Sequence, residues 1–255
     1  KYQMGKSKKI ILVTGASSGL GLAVARHLSD IGHTVYAGAR SFGVERTETS
    51  AGLHEIYLDV NEPSSIESFV KTAIQNEGRI DVLINCAAVL VLGSVEDTSV
   101  EEYEKVINTN LFGTIRMCKA VIPYMREQRS GYIINFSSIT GLLAIPFQSA
   151  YTSSKFAIEG FTEALSMEVK DYGIKAVLIE PTDHRSGSQK YRQHALRADY
   201  DSSPYRDLFL TVTEKIDYDE SHGSDPDQLA KFVAKIIQKR NPRLRYKSGK
   251  FDQKL

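Results

Sequence analysis

Residues Lys9-Ile10-Ile11-Leu12-Val13 lead into Thr14-Gly15-Ala16-Ser17-Ser18-Gly19-Leu20-Gly21, and these into Leu22-Ala23-Val24-Ala25-Arg26-His27-Leu28. The first run is short and mostly apolar, which suits a strand buried on both faces. The last reads as a helix. A glycine-rich turn between a strand and a helix can form a phosphate cradle. The helix N-terminus offers unpaired N–H groups and partial positive charge, and the glycines permit a tight turn and close backbone approach. The spacing here is Gly-x-x-x-Gly-x-Gly, not the Gly-x-Gly-x-x-Gly of the common dinucleotide fingerprint. Alone, it also fits a plain strand–helix connection.

The rest of the chain continues the alternation. Strands are predicted at Lys9–Val13, Thr34–Ala39, His54–Leu58, Val82–Asn85, Tyr132–Phe136, Lys175–Ile179 and near Leu244–Tyr246. Helices are predicted at about Gly19–Ile31, Pro63–Asn76, Val100–Arg126, Ala150–Tyr172 and Pro226–Lys239. This order predicts an α/β fold: one doubly wound domain, a central parallel sheet of about seven strands, helices on both faces, and ligands at the carboxyl ends of the strands. A chain of 255 residues suffices for one such core. Residues 1–7 read as a disordered extension before a domain spanning 8–255. Asp183 to Ser224 is the least regular stretch and reads as a substrate lid. A net charge of +1 gives no reason to expect nucleic acid as a partner. Cys86 and Cys118 do not suggest a disulfide framework, and no apolar run approaches the roughly 20 residues of a membrane span. A cytoplasmic location is expected. The six histidines show no metal-ligand spacing, so no metal is expected.

Chemistry enters with Tyr151-Thr152-Ser153-Ser154-Lys155, thirteen residues after Ser138. The segment Ala150–Tyr172 is a predicted helix with Phe156, Phe161, Ala164, Leu165 and Val169 on its apolar face. Residues i and i+4 share a face, so Tyr151 and Lys155 are expected to point the same way. A free tyrosine titrates near pH 10, roughly. A fixed cation favours the phenolate and fits the phenol for proton exchange with an alcohol or ketone. A Tyr-x-x-x-Lys pair by itself fits an ordinary exposed helix face; the glycine turn upstream favours the chemical reading.

Taken together, Thr14-Gly15-x-x-x-Gly19-Leu20-Gly21, Asn110, Ser138 and Tyr151-x-x-x-Lys155 resemble a short-chain dehydrogenase/reductase, over about Lys8 to Tyr246. The resemblance implies a Rossmann-type fold and an NAD(P)-dependent oxidoreductase acting on CH–OH groups. Tyr151 would be the general acid or base. Lys155 would lower its pKa and bind the nicotinamide ribose. Ser138 would hydrogen-bond the substrate oxygen, with Ser137 the neighbouring alternative, and Asn110 would hold a water in a proton relay. Gly15, Ser17, Ser18, Gly19, Leu20, Gly21, Asp59, Val60, Cys86, Ala87, Ala88, Pro181, Thr182, His184 and Ser186 would contact the cofactor. Three positions depart from the family pattern. Cys86 and Ala88 stand in Asn85-Cys86-Ala87-Ala88 where the family has Asn and Gly, and Thr182 follows Pro181 where the family has Gly.

After the second strand the chain reads Ala39-Arg40-Ser41, without an acidic residue to accept bonds from the adenosine ribose. A guanidinium can grip a 2′-phosphate, so Arg40 with Ser41 points to NADP(H), with NAD(H) the alternative. Val89-Leu90-Val91-Leu92 and Gly141-Leu142-Leu143-Ala144-Ile145-Pro146-Phe147 are apolar and suggest pocket walls, with Leu142, Leu143, Phe147 and His184 beside the substrate. Ile179-Glu180-Pro181 and Arg243-Leu244-Arg245-Tyr246 resemble the 17β-hydroxysteroid and retinol dehydrogenase branch. A lipophilic steroid- or retinoid-like alcohol or ketone is the expected substrate. The lid arginines Arg185, Arg192, Arg197 and Arg206 leave room for an acidic one. Rival readings are a 3-oxoacyl-thioester or small carbonyl reductase, and a catalytically silent NADPH-binding sensor or scaffold. The helices Val100–Arg126 and Ala150–Tyr172 resemble those that pair in family oligomers, so a homodimer or homotetramer is expected.

Overall fold

The structure, a computed structural model, describes residues 8–43, 47–50 and 52–249. The expectation for residues 1–7 lies outside them. In chain order the elements are β1 (Ile10–Thr14), α1 (Gly19–Asp30), β2 (Thr34–Ala39), β3 (Thr47–Ser50), β4 (Leu53–Tyr57), α2 (Pro63–Glu77), β5 (Val82–Asn85), β6 (Val91–Leu92) and α3 (Val100–Ile107). There follow α4 (Gly113–Glu127), β7 (Gly131–Phe136), α5 (Ser149–Val169), β8 (Ile174–Pro181), β9 (Gln193–His194), α6 (Arg206–Ser221), α7 (Pro226–Ile236) and β10 (Arg245–Ser248).

The main sheet runs β10-β8-β7-β5-β1-β2-β4-β3. Seven of these strands are mutually parallel and β3 is antiparallel to β4. The parallel strands correspond to the seven expected ones. Strand β3 is an addition at the edge. From β1 the chain steps outward through β2 and β4, then returns to β5 on the other flank of β1 and continues outward through β7, β8 and β10. The order reverses between β1 and β5, which opens a crevice beyond their carboxyl ends.

β1, β2, β5 and β7 are buried at every position, as continuous Val/Ile/Leu runs require when helices cover both faces. On one face Val24 and Leu28 of α1 pack with Leu229, Val233 and Ile236 of α7. On the other, Phe69 of α2, Val121 and Met125 of α4, and Leu165 and Val169 of α5 form a second layer. Each such side chain contributes about 1.5–3 kcal/mol when fully buried.

Three features differ from the expectations. The helix expected over Val100–Arg126 is split. Ser99 caps α3 with a capping box, in which its hydroxyl accepts from the Glu102 amide (3.2 Å) and the Glu102 carboxylate accepts from the Ser99 amide (2.8 Å). Between α3 and α4, Asn108–Phe112 wind as a π-helical turn, which accommodates one extra residue and swings Thr109 and Asn110 inward. Second, α5 buries Ala150, Ser154, Ile158, Thr162, Leu165 and Val169, while Phe156 is exposed. Third, the stretch expected to be irregular carries the 16-residue helix α6. It also holds the short strand β9, which pairs in parallel with β6. Among the described residues no helix is long and apolar enough to cross a membrane.

Candidate active site

The crevice at the switch point is a cleft of about 1100 Å³. Its floor is the glycine turn. Gly15 and Gly19 have φ of 66° and 54°, a region closed to most side chains. A Cβ on Gly15 would lie 2.7 Å from the Ala87 Cα. The turn is held against β5 by Thr14, whose hydroxyl oxygen accepts from the amides of Cys86 and Ala87, each at 3.1 Å. Ser17, Ser18, Leu20 and Gly21 line the cleft where α1 begins. Asp59, Val60, Ala88 and the exposed Arg40 and Ser41 line its far end. A shallow glycine floor, a helix N-terminus and a guanidinium at the rim fit a phosphate-bearing dinucleotide.

Cys86 also lines the cleft, and burial pushes its thiol up to about 12, opposed by the Lys155 charge. Such a thiol is unreactive at neutral pH. Pro181, Thr182, His184 and Ser186 form the wall after β8. Thr182 has no positive φ. Its amide donates to the Ser248 carbonyl of β10 at 2.8 Å, so the threonine in place of the family glycine sits in ordinary backbone. His184 is buried, with Nδ1 2.7 Å from the Thr182 carbonyl, and burial lowers its pKa.

Ser138, Tyr151 and Lys155 all line this cleft. Ser138 caps a 3₁₀ turn at Ile139–Gly141, and its oxygen accepts from the Thr140 amide (3.1 Å). That bond occupies a lone pair and leaves the O–H free to donate. Ser137 is buried, with its hydroxyl packed against Gly141. Lys155 is buried, donates to the Phe136 carbonyl at 2.7 Å, and lies 5.3 Å from the Tyr151 ring centre. Burial lowers its pKa to about 8, opposed by Cys86 and Glu159.

The phenol of Tyr151 differs from the expectation of a depressed pKa. Burial raises it above the ordinary value, Cys86 and Glu220 add to the rise, and only the Ser138 hydroxyl opposes them. In the protein alone, desolvation outweighs any help from Lys155, whose ammonium is engaged at the end of β7.

Asn110 does not line the cleft. It is fully buried behind it. Its Oδ1 accepts from the Val89 amide (2.8 Å), and its Nδ2 donates to the Val89 carbonyl and the Ser154 hydroxyl, both at 3.0 Å. The side chain therefore ties the loop after β5 to α5. A second buried network was not anticipated. Asn85 Nδ2 donates to Asn135 Oδ1 and Asn135 Nδ2 to Thr162, both at 2.9 Å, locking β5, β7 and α5 together.

The substrate wall corrects the expectation most. Leu142, Leu143 and Phe147 stand outside the cleft. The 3₁₀ turn leaves Leu142 exposed, and Phe147 packs edge-on against Phe209, 5.5 Å between ring centres. Ile139 and Ile145 line the cleft instead. The opposite wall is a face of α6 formed by Thr211, Val212, Lys215, Ile216, Asp219 and Glu220. These positions recur with helical spacing, a signal present in the sequence but masked by the polarity of the residues. Arg192 is not free to bind an acidic substrate. It is paired with Asp217 (2.5 Å) and Glu220 (2.6 Å). Arg185, Arg197 and Arg206 do not line the cleft. The segment 183–224 is stitched to the loop after β5, with the Gln193 amide donating to Leu90 (3.0 Å) and that of Ala195 to Leu92 (2.7 Å). Among the described residues no group of three or more His, Cys, Asp or Glu could hold a metal ion.

A family model described as short chain dehydrogenase matches residues 9–196. The 3-ketodihydrosphingosine reductase of Bacteroides thetaiotaomicron is 40% identical over 97% of this chain and 90% of its own length. Retinol dehydrogenase 8 of Bos taurus is 32% identical, covering 96% of this chain and 83% of its own. Among solved structures, a short-chain dehydrogenase from Streptomyces avermitilis superposes with a TM-score of 0.81 at 29% identity, covering 95% of this chain and 89% of its own.

Proposed function

The chain belongs to the short-chain dehydrogenase family, and we propose that within it this enzyme uses NADP(H) to interconvert a ketone and a secondary alcohol on a long or bulky lipophilic substrate. The observation that carries the reading is the convergence of Ser138, Tyr151 and Lys155 on one cleft whose floor is the glycine turn. Bound nicotinamide would supply the hydride. In the reductive direction Ser138 donates to the carbonyl oxygen and stabilises the charge that develops there. Tyr151 delivers a proton to that oxygen. Lys155, engaged at the Phe136 carbonyl, is positioned to hold the ribose and reprotonate the phenol. Asn110 positions this machinery through Val89 and Ser154, and its assignment to a water relay rests on family resemblance. Arg40 and Ser41 at the cleft's far end support a 2′-phosphate and hence NADP(H) over NAD(H).

For the substrate, the 40% identity to a 3-ketodihydrosphingosine reductase supports a ketone on a long alkyl chain. The retinol dehydrogenase relative supports the second reading, a retinoid- or steroid-like alcohol. Ile139, Ile145, Val212 and Ile216 supply apolar wall for either. A symmetric dimer or tetramer is part of the same proposal, through α4 and α5, on which Phe156 and Met167 are exposed.

The test is purified protein with NADPH and a panel of long-chain ketones, retinal and ketosteroids, followed at the nicotinamide absorbance. Turnover that is lost in Tyr151→Phe supports the enzyme. Tight NADPH binding with no turnover across the panel would replace it with a cofactor-binding sensor.

A further inference from the structure

We infer that the Gln148 side-chain amide selects the substrate by binding a second oxygen on the carbon next to the reacting one, so that the enzyme favours hydroxy ketones over plain ketones of the same length. The inference rests on the reading of the cleft as a ketone-reducing site and names a feature of its substrate.

Gln148 stands at the N-cap of α5, three residues before Tyr151, and both line the cleft. Positions three apart across a helix start lie on one side of it, as the reach of a capping box shows. The backbone of Gln148 is fixed. Its N–H donates to the Ile145 carbonyl (3.3 Å), its own carbonyl accepts from the Thr152 amide (2.7 Å), and the residue bridges to Gly93. Phe147, just before it, has a φ of 62°. That region is costly for a bulky side chain and is held only where the surroundings dictate it. The turn so formed packs Phe147 onto Phe209 and leaves Gln148 facing the cleft.

Gln148 is 5% exposed, yet its carboxamide makes no hydrogen bond among the described residues, not even to the first amides of its own helix. The hydroxyl oxygens of Ser137 and Thr140 are also unpartnered, but they are sealed from solvent, whereas the carboxamide is not. The small exposed part of Gln148 therefore includes its polar tip. Other polar side chains around the cleft are already engaged, Thr109 with Asn61, Gln193 with Lys105 and Ser188 with Glu220. The Gln148 carboxamide, with two N–H donors and an acceptor, is left for a ligand.

Its place along α5 argues for substrate over cofactor. Lys155 follows Tyr151 by four residues and is anchored at the end of β7. Gln148 precedes Tyr151, on the side of the apolar wall residue Ile145. The phenol thus stands between the ammonium assigned to the ribose and the carboxamide. Neighbouring helix positions lie roughly 5–6 Å apart at Cβ, so a ketone bonded to Tyr151 has its adjacent carbon within reach of Gln148. A hydroxyl there both donates to the amide oxygen and accepts from its N–H. A plain ketone leaves a nearly buried amide unmatched, and polar sites discriminate in this way.

The experiment measures kcat/KM with NADPH for a long straight-chain methyl ketone and for the same ketone with a hydroxyl on the neighbouring carbon, in wild type, Gln148→Met and Gln148→Asn. Met keeps the length and drops the amide, and melting temperatures check that the variants fold. The ratio of hydroxy ketone to plain ketone is expected to fall by about 5- to 50-fold in Gln148→Met, chiefly through KM, with partial recovery in Gln148→Asn. The hydroxyl's own effect on carbonyl reactivity is common to all three proteins, so the change in ratio reads the contact. An unchanged ratio overturns the inference, and an accompanying rise in the KM for NADPH would assign the amide to the cofactor. If wild type reduces neither ketone, the reading of the cleft fails instead. Calorimetry with NADP+ then decides the contact by itself. The vicinal diol should bind more tightly than the plain alcohol in wild type and lose that advantage in Gln148→Met, with equal affinities in wild type counting against it.

Discussion

The Lys155 ammonium donates a 2.7 Å hydrogen bond to the carbonyl of Phe136, the last residue of β7. The amine is thus secured to the sheet as well as to its own helix. It is also buried, and burial brings its pKa from 10.5 to about 8. Between those values the unfolded chain binds a proton that the folded protein does not. Stability therefore rises with pH from about 8 to about 10.5 through this group, and below about 8 the buried cation lowers it throughout. Denaturant titrations at several pH values, wild type against Lys155→Met, should show this rise only in the wild type. Parallel curves would mean that the lysine titrates normally.

Arg40 sits exposed at the cleft rim, where its loss costs the fold little. Arg40→Ala is expected to raise the KM for NADPH by about 10- to 100-fold, the scale of a lost charge-assisted pair, and to leave the KM for NADH within about threefold, since NADH has no 2′-phosphate to hold. The melting temperature should not move. A loss shared equally by both cofactors would assign Arg40 to adenine stacking.

Asn110→Ala removes three hydrogen bonds from a fully buried position and strands the amide and carbonyl of Val89. An orphaned buried group costs about 1–3 kcal/mol, so a loss of roughly 2–4 kcal/mol in unfolding free energy is expected. Chemical denaturation measures it. A variant as stable as wild type yet catalytically dead would move Asn110 from positioning to proton relay.

Gly15→Ala would bring a Cβ within 2.7 Å of the Ala87 Cα, against rigid backbone, at a φ of 66°. The expected destabilisation is about 1–3 kcal/mol, with NADPH affinity reduced because the cradle floor must shift. Fluorescence titration of NADPH alongside thermal melting checks both. An alanine variant with native affinity would show that the glycine is not required for the cradle.

The residues proposed to carry the chemistry are legible in the sequence because their signals are local. Gly15, Gly19 and Gly21 sit at a strand–helix junction, and Tyr151 and Lys155 are one helical turn apart. The seven parallel strands were legible as continuous apolar runs. The pairing of β6 with β9 was not, because two-residue strands about a hundred positions apart have no periodicity to read. The apolarity of Leu142, Leu143 and Phe147 predicts a place beside the substrate, but Leu142 ends a 3₁₀ turn and is exposed, and Phe147 sits at a φ of 62° against Phe209, none of which composition reveals. Helix α6 was hidden because its cleft-facing side carries Lys215, Asp219 and Glu220, so hydrophobicity alone gives no clear stripe. The Tyr151 phenol was expected to be acidic from its neighbour alone. Its burial is a tertiary property that a one-turn spacing cannot convey.

The π-helical turn at Asn108–Phe112 makes chain length itself a constraint there. Removing a single residue from it would restore α winding with α3 and α4 kept in phase, and would turn the residues of the wide turn to new directions. Met117 and Val121 would then stay in the core while Asn110 lost its reach to Val89 and Ser154. Deletions in this stretch should therefore be far rarer among sequence variants than substitutions.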